Sequence, residues 1–143
     1  MNKAFVILIF VCYSLMFSTC NKHSEDEITE LKIVYVNADI ETFADISCNE
    51  FDSAFSKDEF MEKNITDKKK LEKFSSILIL NNFQKDSHLS SIDTRAKLYI
   101  TYADTKQSVL CVDRFGYAVM NDNYVGLNKK IVSFVKHNCK GFE

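Results

Sequence analysis

Ala96-Lys97-Leu98-Tyr99-Ile100-Thr101-Tyr102 decides the fold. Ala96, Leu98, Ile100 and Tyr102 alternate with Lys97, Tyr99 and Thr101, the period-two pattern of a strand with one buried face. Asp104-Thr105-Lys106 supplies a turn, and Val109, Cys111 and Asp113 then alternate with Leu110 and Val112. Arg114-Phe115-Gly116 turns the chain again into Tyr117 to Met120, and Asn121-Asp122-Asn123 turns it once more toward Tyr124-Val125. Short strands joined by tight turns make an antiparallel meander.

Upstream, Leu31, Ile33 and Tyr35 oppose Val34 and Val36, which predicts a further strand near 32–36. Asn37-Ala38-Asp39 reads as a turn, and Ile40 to Ile46 as a short partner strand or irregular chain. Ser47-Cys48-Asn49-Glu50 has the S-x-x-E form of a capping box, and Ser56-Lys57-Asp58-Glu59 repeats it. One or two short helices are therefore expected, carrying Phe51, Ala54 and Phe55 and then Phe60 and Met61. A longer helix near 67–80 puts Leu71, Phe74, Ile77 and Leu78 on one face, with Lys68, Lys69, Lys70 and Lys73 mostly elsewhere. Asn81 to Ser91 is polar and reads as a loop. Asn128 caps a last helix near 128–138 that aligns Ile131, Phe134 and Val135. The expected architecture is α+β: an antiparallel meander of about four strands (32–36, 95–103, 107–113, 117–120) with helices packed on one face.

The N-terminus carries a different message. Lys3 precedes an apolar run from Ala4 to Phe17, interrupted only by Ser14; Ser18, Thr19 and Cys20 follow, and then the polar Asn21-Lys22-His23-Ser24-Glu25-Asp26-Glu27. A positive start, a short apolar stretch, small residues and a cysteine resemble a bacterial lipoprotein signal peptide. The run of about 14 residues is short of the roughly 18–20 needed to span a bilayer and fits the core of an export signal. Phe17 and Thr19 depart from the usual Leu and Gly or Ala of the lipoprotein box; Ser18 matches. The resemblance implies that Cys20 becomes the mature N-terminus and carries acyl chains, enough for stable anchoring in an envelope membrane. It points to the outer membrane, with surface exposure allowed by the acidic Glu25-Asp26-Glu27. The alternative is a soluble secreted or periplasmic product cleaved near Cys20. The chain thus divides into a signal peptide (1–19), a polar tether (20–30) and a single small domain (31–143).

Lys3 is the only charge in residues 1–19, so the rest carries 17 basic and 20 acidic side chains, net −3. That balance offers no basic face for nucleic acid. Twelve Phe and six Tyr provide a core without Trp, and the absence of Pro argues against a disordered stalk. Of five cysteines, Cys12 leaves with the signal and Cys20 is the lipid site. Cys48, Cys111 and Cys139 allow at most one bridge. Cys48–Cys111 would tie the two halves of the chain, Cys111–Cys139 would tie a strand to the last helix, and all three thiols free and buried is equally open.

Chemistry is sparse. His23, His88 and His137 lack partners at metal-ligand spacing, so no metal or cofactor is expected. His137 and Cys139 are close in sequence, but at a helix terminus rather than in a nucleophile–base arrangement. Asp93, Asp104 and Asp113 flank the meander strands and could serve a carboxylate-based hydrolase of envelope polymers, although each also sits where a turn wants an acid. The densest cluster is Leu110 to Tyr117. There Arg114, Phe115 and Tyr117 combine planar charge with rigid apolar area beside Gly116, the composition of an interface hot spot. The leading expectation is a non-enzymatic, lipid-anchored envelope protein that binds a protein partner, as an inhibitor, immunity partner or accessory subunit. It would use the exposed side of the meander and the 113–117 turn. A hydrolase and a passive envelope component are the alternatives.

Overall fold

The computed structural model describes residues 26–85 and 91–142. The signal segment, Cys20, His23 and His88 lie outside the described residues. The described residues form a mixed α and β domain built on one six-stranded antiparallel sheet with three α-helices. In chain order these are β1 (Ile28–Tyr35), α1 (Phe51–Ala54), β2 (Met61–Ile65), α2 (Lys68–Leu78), β3 (Ala96–Tyr102), β4 (Gln107–Val112), β5 (Tyr117–Met120), β6 (Asn123–Leu127) and α3 (Lys129–Asn138). The strand order is β2-β1-β3-β4-β5-β6. The β3–β6 meander is sequential, and β1 enters between β2 and β3, pairing Ile33 with Leu98 and with Lys63.

Alternation sorts the side chains as the sequence pattern requires. Leu31, Ile33, Leu98, Ile100 and Leu110 are fully buried on the face that receives α2 and α3. Phe74 of α2 meets Phe134 of α3 there, with ring centroids 5.2 Å apart. α3 begins on Asn128, the residue expected to cap it, and α2 begins on Asp67. Asp67 accepts from the Lys70 N–H at 3.0 Å, and Asn128 from the Lys130 N–H at 3.1 Å. Each bond satisfies an amide that the helix start would leave orphaned.

Three expectations change. The sheet has six strands rather than about four. β2 escaped the pattern because Met61-Glu62-Lys63-Asn64-Ile65 presents charge in its middle, as suits an edge strand. In β6 the pattern is broken by Gly126 and by a register shift opposite Ala118/Val119. The second capping box does not start a helix: Glu59 accepts from the Ser56 N–H at 2.6 Å, but the chain passes directly into β2. Phe60 instead closes on Phe51 and Phe55, at centroid distances of 5.4 and 5.9 Å. Finally, β1 starts at Ile28, so the end of the expected 20–30 tether belongs to the sheet.

The opposite face of the sheet is also partly covered. Residues 36–60 leave the end of β1 and fold across it, packing Ile40, Ile46, Phe51, Phe55 and Phe60 against Val34, Val36 and Tyr99. Residues 40–46 form no strand; the Ile46 carbonyl accepts from the Thr94 N–H at 2.8 Å. A disulfide between Cys48 and Cys111 fastens this excursion to β4 (Cα–Cα 5.6 Å), while Cys139 is a buried free thiol. The meander side expected to be exposed is therefore partly covered around the disulfide, where Val109, Tyr117, Val119 and Tyr124 are half-buried.

Candidate functional site

The turn between β4 and β5 is held by one carboxylate. Asp113 is buried, and its Oδ1 accepts from the backbone N–H groups of Phe115, Gly116 and Tyr117 at 2.8, 2.7 and 2.9 Å. Burial nonetheless pushes its pKa above the ordinary carboxylate value; the three N–H donors oppose that shift, and the nearby Asp93 charge adds to it. Gly116 sits at φ +104°, and a Cβ there would lie 3.1 Å from the Asn128 carbonyl oxygen. Only glycine meets both requirements. The result is a rigid tip with Arg114 and Phe115 at its apex. Phe115 is 60% exposed, and the Arg114 guanidinium stands 5.0 Å from its ring centroid. Tyr117 is half-buried beside the disulfide, so it supports the tip rather than crowning it.

Arg114 also lines a basin of about 620 Å³ formed with the 39–45 segment, Asp93 and Arg95. Phe43 lies on this basin and is fully exposed. Among the described residues, the large exposed apolar side chains are Phe43, Ile79 and Phe115; two of the three therefore belong to this end of the molecule. The floor is Arg95, only 2% exposed, whose Nη2 donates to Asp93 Oδ2 and, at 3.0 Å, to Thr42 Oγ1. Its guanidinium lies 5.8 Å from the Phe55 ring centroid.

The three carboxylates considered for hydrolysis do not face one another across a cleft. Asp93 pairs with Arg95 and accepts from the Ile46 N–H at 3.1 Å. Asp104 accepts from the Lys106 N–H at 3.0 Å, and its Oδ2 lies 2.8 Å from Lys106 Nζ; these contacts hold its pKa below the ordinary value. Asp113 is committed to the turn. At the C-terminus, burial pushes the Cys139 thiol up to about 11, the reverse of what a thiolate nucleophile needs.

Sequence reasoning thus found Arg114 and Phe115 but missed Phe43 and Arg95. The available signal was a lone aromatic among acids, Glu41-Thr42-Phe43-Ala44-Asp45, which is a poor core residue in such company. No protein-family model, curated protein or solved structure matches the chain.

Proposed function

We propose that this protein is a small lipid-anchored component of a bacterial envelope whose folded domain binds a protein partner, as an inhibitor, immunity partner or accessory subunit. The observation that carries the reading is the Arg114–Phe115 pair, held out on a turn that Asp113 locks, next to the fully exposed Phe43. Aromatic and Arg side chains are enriched among the residues that dominate interface binding energy, and stacking on Phe115 orders the Arg114 guanidinium before docking. The Cys48–Cys111 bridge supports an exported location, since disulfides persist in oxidising compartments. The N-terminal segment ending at Cys20 supplies the address and the membrane attachment. No cofactor enters the reading.

The test is capture of proteins from the envelope with the anchored chain and with its Arg114→Ala and Phe115→Ala variants. Each substitution is expected to cost over about 1 kcal/mol of binding while leaving the domain folded. Turnover of an envelope polymer that is lost on replacing Asp93, Asp104 or Asp113 would overturn the binding reading.

A further inference from the structure

The strand register defines two poles. Ile28 pairs with Tyr102, and the 103–106 turn lies beside it, where the Glu27 carbonyl accepts from the Ala103 N–H at 2.8 Å. At the far end Tyr35 pairs with Ala96, Ala96 with Val112, and Val112 with Ala118, immediately before the 113–117 turn. The 36–46 segment and Arg95 are at this second pole too: the Val36 N–H donates to the Arg95 carbonyl at 3.1 Å. The poles are separated by the length of β1, eight residues or roughly 25 Å. Only residues 21–27 intervene between Cys20 and Ile28, so a lipid on Cys20 draws the Ile28 pole toward the bilayer. The basin and the aromatic tip then face away from it.

The charge at the tip is lopsided. Asp93 and Arg95 neutralise each other, which leaves Asp39, Glu41 and Asp45 against Arg114 alone. An anionic lipid surface is repelled by that set. The floor itself is fixed: Arg95 is almost completely buried, with its Nη2 held by Asp93 and Thr42, so recognition falls to the rim.

Building on the binding reading above, we infer that the occupant of this membrane-distal basin is a basic segment of the partner protein. Its Lys or Arg side chains meet Asp39, Glu41 and Asp45, and its apolar side chains rest on Phe43 and Phe115. The acids steer and select, while the two rings supply most of the buried apolar area.

Site-specific photo-crosslinking in the full anchored chain tests this, with benzoylphenylalanine placed at position 43 or position 115 in separate proteins. Both positions should trap the same protein. The peptide joined at position 43 should carry at least two Lys or Arg, and no Asp or Glu, within six residues of the adduct. Combining Glu41→Lys with Asp45→Lys should lower the yield from position 115 at least tenfold, with protease resistance and the disulfide retained. If position 115 traps a protein but position 43 joins a neutral or acidic segment, or the charge reversal leaves the yield unchanged, the basic-segment inference fails and the binding reading stands. A lipid adduct at position 43 also overturns the inference. If neither position traps a protein, the binding reading fails with it.

Discussion

Replacing both Cys48 and Cys111 by Ala removes the covalent tie between the 36–60 excursion and the sheet. The two cysteines are 63 residues apart. Chain-entropy loss in the unfolded state for a loop of that length corresponds to about 4 kcal/mol at 25 °C. Small domains of this size have total stabilities of roughly 5–15 kcal/mol, so the loss is a large share. With a urea m-value of about 2 kcal/mol/M, the unfolding midpoint should drop by about 2 M. The damage should also be local. The core between the sheet and α2 and α3 does not involve the bridge, whereas Ile92, Val109 and Tyr117 pack directly around it. Amide exchange should therefore accelerate most over residues 36–60, and least in β3 and α3. The assay is urea unfolding followed by far-ultraviolet circular dichroism, paired with hydrogen exchange. The parent protein under reducing conditions serves as a second route to the same state, and Cys139 as an internal free-thiol control. A midpoint shift below about 0.5 M, or exchange that accelerates uniformly, would refute the reasoning that the bridge pins a separate outer layer.

Three further outcomes are expected. Phe74→Ala, which empties a fully buried site facing Phe134, should cost about 3–5 kcal/mol in the same unfolding assay. Asp113→Asn keeps a carbonyl acceptor for the turn but removes the charge. Because the folded-state pKa of Asp113 is raised, its ionised form costs stability. That cost grows as pH climbs from the unfolded value, about 3.8, through the folded one, and disappears on acidification. The parent should thus gain stability relative to the Asn variant as pH falls from 7 to 3, as read from paired urea curves. Cys20→Ser should release the protein into the soluble fraction or leave its precursor uncleaved; a variant processed and partitioned like the parent would contradict the lipid anchor.

The meander and both long helices were legible because their patterns coincide with their burial. Leu98 and Ile100 face the helices in period two, and Leu71, Phe74 and Ile77 face the sheet at helical spacing. The cap Asn128 read correctly because its bond is local, two residues away. What stayed hidden depends on tertiary pairing. β2 is recruited by β1 rather than by its own composition, and Ser56–Glu59 makes a capping bond that the following strand prevents from growing into a helix. The bridge could not be chosen among three cysteines until the 36–60 excursion was seen to cross the sheet. The basin was invisible for the same reason, since Phe43, Arg95 and Arg114 meet only when that excursion, β3 and the β4–β5 turn converge at one pole. Phe115 was legible as an aromatic beside a turn glycine, but its exposure was not, because it depends on how the turn is held by Asp113.

The most direct test of the binding account compares three single substitutions of exposed apolar residues in the full chain, Phe43→Ser, Phe115→Ser and Ile79→Ser. Ile79 is also exposed, but it lies beside Ile28 and Lys68 at the opposite pole. Quantitative mass spectrometry of proteins captured from the envelope should show one partner reduced at least tenfold by Phe43→Ser and by Phe115→Ser, and recovered at the parental level with Ile79→Ser. Equal recovery with all three variants, from protein that remains folded, would contradict the assignment of the distal tip as the binding site.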